Sequence, residues 1–285
     1  GAVAAGTLSG SGLLTLTGGE LLIDGANPLL AVTTQIGAGA SAILNDAAGL
    51  GQGAIFNDGL LRFDAVNGTL HNALDGLGNV QLAHSSMTLS GISDGFAGRF
   101  DIDADSRLTV TDTRQLGSAS VTDDGVLIID ASRDGRLPNA LSGAGELVKR
   151  GSGVALAGQG LDHRGGTRVE GGGLLLDDAS VTLGGGGPVT IAGGATFGGY
   201  GVVVGDVGND GYLLVADAAA PLSASGGLEI RGALDNRGGI LLGGAGVGNA
   251  LVLRGDYRGT GSAWLRVNAR LEGDDSPADR LSLDG

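Results

Sequence analysis

The stretch GVLIIDA at residues 125–131 sets a glycine, a short apolar run, an aspartate and a small residue in a row, and nearly the same phrase returns along the chain. It reads GELLIDG at 19–25, GLLRFDA at 59–65 and GGLLLDDA at 172–179, with looser forms YLLVADA at 212–218 and RLSLDG at 280–285. The closing aspartates are Asp24, Asp64, Asp130, Asp177, Asp217 and Asp284, whose numbers differ by 40, 66, 47, 40 and 67. Those intervals are close to two or three times one unit of about 22 residues. A domain with a single core has no reason to keep such a beat, whereas a solenoid of stacked coils does. Residues 61–108 and 127–175 also align at an offset of 66–67, which reads as one unit taken three times.

Within the units the apolar residues alternate with period two, the mark of strands. In RFDIDADSRLTV (99–110) Phe100, Ile102 and Ala104 share one phase, and Asp101, Asp103 and Asp105 the other. In GELVKRGSGVALAG (145–158) Leu147, Lys149, Gly151 and Gly153 share a phase. No 3.6-residue period is sustained, and LVADAAAPL (214–222) is too short and interrupted to predict a helix. A unit of this size is too short for a propeller blade of roughly 40 residues but suits one coil of a parallel β-helix. The expected fold class is therefore all-β, a parallel β-helix of about 22 residues per coil. About 13 such coils stacked at the interstrand distance would make a rod on the order of 60 Å long. Glycines supply the φ > 0 bends between faces, and each aspartate can bond backbone at an exit turn.

Composition agrees. The 59 glycines and 5 prolines disfavour helix, while 42% hydrophobic residues provide for a core that, at 3% aromatic, must be aliphatic. The balance of 17 basic against 31 acidic residues disfavours nucleic acid and anionic membranes as partners. No apolar run approaches the roughly 18 residues of a membrane-spanning helix, so no membrane insertion of this segment is expected. There is no basic-then-apolar leader at Gly1, which places any export signal outside these residues. Cysteine is absent, which removes thiol redox chemistry and thiolate metal sites and suits a chain that crosses a membrane before it folds.

Residues 141–176, LSGAGELVKRGSGVALAGQGLDHRGGTRVEGGGLLL, resemble the passenger-associated repeat of bacterial autotransporters. The matching positions are Gly143, Gly145, Leu147, Lys149, Gly151, Gly153, Leu156, Gly158, Gly165-Gly166-Thr167, Val169, Gly172, Leu174 and Leu176; His163 stands where that repeat usually carries an aromatic. GDYRGTGSAWLRVNARLEGDDSPADRLSLDG (255–285) resembles the end of a pertactin-like passenger, through Gly255, Asp256, Tyr257, Gly259, Asn268, Leu271, Asp279, Arg280, Leu281, Asp284 and Gly285. ATFGGYGVVVGDV (195–207) resembles the coil upstream of that ending. The resemblance covers residues 141–285 and reaches 1–140 through the period alone. It divides one continuous solenoid into passenger coils (1–140), passenger-associated repeat coils (141–194) and C-terminal, autochaperone-like coils (195–285). It implies a right-handed β-helix secreted through the outer membrane of a Gram-negative cell and displayed at its surface, with its own translocator barrel as a partner during secretion. It also implies C-terminal coils that fold first and template those behind them. For that role the expected core is Tyr257, Trp264, Leu265, Val267, Leu271, Asp279, Arg280 and Leu281, with Leu265, Val267, Ala269 and Leu271 as an inward stripe, Arg266, Asn268 and Arg270 facing out, and Trp264 as an anchor or cap.

Candidate chemistry is sparse. Gly91-Ile92-Ser93-Asp94-Gly95 satisfies G-x-S-x-G, but a nucleophile elbow needs a strand–turn–helix context, and a glycine-rich chain produces such matches by chance. His71, His84 and His163 lack metal-ligand spacing and read as surface or loop residues. Asp101, Asp103, Asp105 and Asp112 imitate a calcium loop, but Ser106 replaces its glycine and the alternation places the first three on a solvated face. Arg254-Gly255-Asp256 is an integrin-type tripeptide on a pattern that predicts a strand edge. No catalytic residue, cofactor or metal is expected. The leading reading is a non-enzymatic surface stalk or adhesin shaft. The alternatives are loops that bind a host surface, matrix or plasma protein, or a β-helical enzyme acting on carbohydrate.

Overall fold

The computed structural model describes residues 2–4, 7–219, 222, 224–273 and 275–284, so that Gly285 of the family-like ending lies outside the described residues. The chain forms a parallel β-solenoid in two compact units, Gly1–Asp130 with Asn139–Gly145, and Ala131–Pro138 with Glu146–Gly285. No helix among the described residues is long and apolar enough to cross a membrane.

In the first unit one face stacks Gly19–Ile23, Ala40–Leu44, Leu60–Asp64, Asn79–Ala83, Arg99–Ile102, Ser120–Asp123 and Leu141–Gly143, each parallel to the next. A second face carries Asn67–Leu70, Ser86–Leu89, Arg107–Val110 and Val126–Asp130, and a third Gly10–Leu16, Leu30–Ile36, Ile55–Asn57 and Leu74–Asp75. Leu61 pairs with Val80, Val80 with Phe100 and Phe100 with Val121, so the residue number advances by 19, then 20, then 21. One coil is therefore about 20 residues long. The repeated phrase overstates it because the phrase marks the end of a face rather than of a coil. Leu61 sits on the first face while its sequence counterpart Leu127 sits on the second, pairing with Leu108. The offset of 66 thus spans three coils and one further face.

The interior follows from the register. Leu21, Ala42, Leu61, Val80, Phe100, Val121 and Leu141 form one inward column, and Ile23, Leu44, Phe63, Leu82 and Ile102 the next. From Leu61 to Leu141, and from Ile23 to Ile102, these side chains are all but sealed from solvent, and each aliphatic one contributes roughly 2 kcal/mol of burial. Phe96 meets Phe100 edge to face at 5.2 Å, one of the few aromatic contacts in the core. The alternation read over 99–110 ends at Ile102: Ala104 and Asp105 form an exposed turn, and Ser106 turns inward to accept from the Ser85 amide and donate to the Leu82 carbonyl.

In the second unit the first face runs through Leu161–His163, Thr182–Leu183, Gly201–Val204, Gly227–Arg231, Ala250–Leu253 and Arg280–Leu283. The second runs through Glu146–Arg150, Thr167–Val169, Val189–Ile191, Val207–Asn209, Leu234–Asn236 and Tyr257–Gly259. The third begins at Gly135–Leu137 and Val154–Ala157 and continues through Gly173–Leu176, Thr196–Gly199, Tyr212–Val215, Gly239–Leu241 and Trp264–Arg266. Coils here lengthen: Val203 pairs with Ile230 and Leu253 with Leu283, the residue number advancing by 27 and by 30. The extra length of the first long coil includes the short turn Ala216–Ala218, and Ala219 and Leu222 pack back over the outward side chains Leu156, Leu175 and Leu214. Gly198 shows what stacking demands of a corner. Its φ is 142°, and a Cβ there would lie 1.8 Å from the Leu214 carbonyl oxygen, so no other residue fits without moving the neighbouring coil.

Two inward residues, Lys149 and His163, carry basic side chains. Lys149 is fully buried in phase with Leu147, its Nζ donating to the carbonyls of Arg150 (2.6 Å), Gly151 (3.1 Å) and Gly171 (3.4 Å). His71 and His84 are exposed, as expected, but His163 is only 1% exposed. It ends its strand pointing inward, with Nε2 2.9 Å from Thr167 Oγ1 and Nδ1 without a hydrogen-bond partner. Burial pushes its pKa down to about 4, against smaller upward effects of the Gly166 backbone and of the Asp162 carboxylate. The unfolded chain therefore binds a proton between the ordinary histidine range near pH 6.5 and pH 4 while the folded chain does not. Stability should be greatest above pH 6.5 and fall as the pH approaches 4, by up to about 3 kcal/mol from this residue. His163→Phe should remove that part of the slope. Urea midpoints at pH 7.5 and 4.5 for the two proteins check it; equal pH slopes would show that His163 is not the source.

Candidate functional site

The residues singled out by the family-like ending lie on the last coils, 207–284. Tyr257–Gly259, Trp264–Arg266 and Arg280–Leu283 each pair with the preceding coil on one side only. Leu265 aligns with the buried Ile240 and Leu281 with the buried Leu251, so both occupy inward register positions. No further coil among the described residues lies over them. Leu265 is consequently 43% exposed, and Leu281 is half-buried.

The expected inward stripe is not formed. The chain leaves the third face after Arg266, and residues 268–273 and 275–279 make a hairpin, closed by an antiparallel bridge between Ala269 and Ala278 and by the Arg270 amide on the Pro277 carbonyl at 3.0 Å. Val267 is 48% exposed, Ala269 is exposed, and Leu271 is 97% exposed near the tip, so none of the three is a core residue. The polar residue of the set, Asn268, is the half-buried one: its Nδ2 donates to the carbonyls of Gly244 (2.8 Å) and Gly246 (3.3 Å). Alternation in this stretch therefore reports hairpin edges rather than a buried face.

Asp279 is 7% exposed and closes the hairpin onto the coil beneath. One oxygen accepts from the Asn249 amide (2.9 Å) and Asn249 Nδ2 (3.1 Å), the other from the Asn268 amide (2.8 Å). Asn249 Nδ2 also donates to Asp217 at 2.5 Å, and Asp217 accepts from the amides of Gly244 (3.2 Å) and Gly246 (2.6 Å). The Asn249 oxygen accepts from the Gly226 amide at 3.2 Å. One buried network thus joins four segments. Of its members, only Asp279 was expected in the core from the sequence. Asn249 carried a usable signal: Asn249-Ala250-Leu251-Val252-Leu253 and Asp279-Arg280-Leu281-Ser282-Leu283 share a polar residue two places before a leucine pair.

Trp264 faces outward. In register it follows Tyr212 and Gly239, and its ring meets Tyr212 edge to face at 6.4 Å across the intervening glycine. A Cβ on Gly239 would lie 2.4 Å from Trp264 Cζ2, so the glycine is the seat of the indole. Tyr257 holds an inward position, its hydroxyl 3.4 Å from Asn236 Nδ2, and is 37% exposed at the open end. Arg280 is exposed, and its amide donates to the Asn249 carbonyl at 2.8 Å.

Arg254-Gly255-Asp256 is a corner laid against the coil beneath rather than a projecting loop. Arg254 bridges Glu229 (2.7 Å) and Asp284 (3.4 Å), a Cβ on Gly255 would lie 2.4 Å from the Gly232 carbonyl, and the Asp256 carbonyl accepts from the Leu234 amide at 2.8 Å. The guanidinium groups of Arg231 and then Arg254 hold Glu229 below the usual carboxylate range. Ser93, Asp94, Asp101 and Asp112 of the other motifs also have structural partners. Ser93 is buried, accepting from the Leu74 amide (3.0 Å) and donating to the Gly91 carbonyl (3.2 Å), while Asp94 pairs with Arg114. Asp101 pairs with Arg99 at 2.6 Å, and Asp112 caps the turn Thr113–Leu116. Among the described residues no three His, Asp or Glu side chains converge as a metal-binding group would.

No family profile matches the chain, and no solved structure matches it. It is similar to two proteins of Escherichia coli (strain K12). The uncharacterized lipoprotein YdeK is 36% identical over 186 residues, 64% of this chain and 14% of that protein. The uncharacterized protein YuaQ is 35% identical over 285 residues, 99% of this chain and 19% of that protein. The chain thus spans less than a fifth of the length of either relative.

If Gly239 seats the indole, Gly239→Ala should displace it. Trp264 is the only tryptophan, so its emission should move to longer wavelength, with a loss of about 1 kcal/mol in stability as the aromatic contact opens. An unchanged spectrum in urea-free buffer would rule this seat out.

Proposed function

We propose that the chain is a non-enzymatic stretch of a secreted surface shaft, built like an autotransporter passenger, whose C-terminal coils fold first and template those behind them. The observation that carries this reading is the way the last coils are tied. Within each unit the backbone ladder joins a coil to the next, helped by single buried side-chain bonds such as Asn72 to Gly51, and around residues 207–283 such ties converge in the connected Asp217–Asn249–Asp279 network beside the Tyr212–Trp264 contact across Gly239. Such a segment has local means to order itself, and each ordered coil then presents unpaired backbone groups along which the preceding segment can add as a parallel strand. The residue chemistry fits export: no cysteine can form a disulfide that blocks passage, and the net charge of −14 keeps a long repetitive surface soluble. Similarity to much longer proteins, one of them named a lipoprotein, supports a place in a large cell-envelope protein.

Pulse-labelled hydrogen exchange during refolding tests the order. Strands within 228–253 should gain protection before those within 79–130, and Leu251→Asp should delay protection of Thr167–Val169 and Val189–Ile191 several-fold. Protection that appears first in residues 19–89, or in all strands together, would refute C-terminal templating.

A further inference from the structure

The strands Ala250–Leu253 and Arg280–Leu283 stack with Leu251 against Leu281 and Leu253 against Leu283. A leucine at every second position makes this pairing degenerate, because a slide of two residues keeps the alternation and still sets leucine on leucine. A short connection would forbid the slide. Here, however, the coil from Leu253 round to Leu283 is about 30 residues long, and added loop length restrains a closure only weakly.

One step earlier in the same phase, Asn249 faces Asp279. Both are buried, at 1% and 7% exposure, and they are bonded through the Asn249 amide and Nδ2 to one carboxylate oxygen. The other long coil repeats the arrangement. Val207 pairs with Leu234 after 27 residues, and two places on in phase Asn209 faces Asn236, both fully buried, with Nδ2 to Oδ1 at 2.8 Å. Shorter coils use a different device: Asn27, Asn72 and Asn139 donate to backbone carbonyls of a neighbouring coil, at Gly49 (2.8 Å), Gly51 (3.1 Å) and Ala119 (2.6 Å). Every residue offers a carbonyl, so such bonds survive a slide. A side chain bonded to a side chain does not. Moving Arg280–Leu283 one way brings Asp279 against Leu251, and moving it the other brings Leu281 against Asn249; either leaves a buried polar group facing leucine.

We propose that Asn249 and Asp279, and in the coil before them Asn209 and Asn236, are positioning residues that select the register of the long coils. Their bonds are complete in one alignment alone, as those of a buried asparagine are in a coiled coil. The proposal rests on the solenoid alone and holds whichever way the chain folds.

Because the chain has no cysteine, introduced pairs report register directly. Val252 and Ser282 are register partners on neighbouring strands about 4.8 Å apart, within reach of a disulfide. Val252→Cys with Ser282→Cys reads the native alignment; Val252→Cys with Arg280→Cys, or with Asp284→Cys, reads the two slides. In the otherwise unchanged chain, mild oxidation should couple the native pair roughly tenfold or more over either slid pair. With Asn249→Leu and Asp279→Leu present, that preference should fall toward parity. If it stays tenfold while the urea midpoint drops, the pair merely stabilises and the proposal fails. Should the double variant not fold, Asp279→Ser is read in the same assay, where a several-fold fall in preference supports register selection and an unchanged preference overturns it. Neither outcome bears on the order in which strands gain protection, so this test and that of C-terminal templating fail separately.

Discussion

Parallel pairing between consecutive coils governs everything else in this molecule. Each strand is only two to seven residues long, and its side chains alternate between the interior and the outside, so a residue's environment is decided by its partner on the coil beneath. Once Leu61 faces Val80 and Val80 faces Phe100, the apolar columns follow, and so do the corners at which one backbone nearly touches another. The narrow interior explains why the core is aliphatic with a few phenylalanines. It also explains how polar groups can point inward: a corner offers carbonyls that receive Lys149, and the inward hydroxyl of Thr167 meets His163.

How much of this was legible follows from the same constraint. Period-two alternation and a recurring strand-ending phrase are direct consequences of stacked strands, so the fold class is legible in the phrase repeated from 19–25 to 280–285 together with the alternation over 99–102. The coil length came out long because the phrase recurs on different faces, as the pairings of Leu61 and Leu127 show. Alternation says which residues share a side, but not whether the chain is still in a sheet. That is why Leu265 was placed correctly in phase while Val267 and Leu271, beyond the departure at Arg266, were not. Tyr212 and Gly239 were invisible for another reason: their link to Trp264 depends on register across two lengthened coils of unequal size, which no regular period predicts.

The outer surface follows weaker rules. Arg254 lies between Glu229 and Asp284, Arg237 meets Asp210 and Arg114 meets Asp94, all exposed pairs linking side chains from different coils. Each contributes little in water and less in salt. Their value is that a carboxylate on one coil meets a guanidinium on another in a chain that carries an excess of acid. Stability therefore rests on the ladder and the columns, and the exterior is free to vary provided the corners keep their glycines.

Variation in coil length is the harder problem for such a stack. A coil of about 20 residues has little slack, so its own length holds the register. An insertion that lets Ala219 and Leu222 cover the outward leucines, or lets Ala269 bridge Ala278 in a hairpin, removes that restraint where the inward pattern of alternating leucines is least specific. Apolar burial cannot restore it, because leucine packs on leucine in any register of the correct phase. A buried polar pair can, since a misaligned partner leaves an unsatisfied group in the interior. The asparagine and aspartate pairs stand in the two coils that have been lengthened, which is where a solenoid that tolerates insertions needs them.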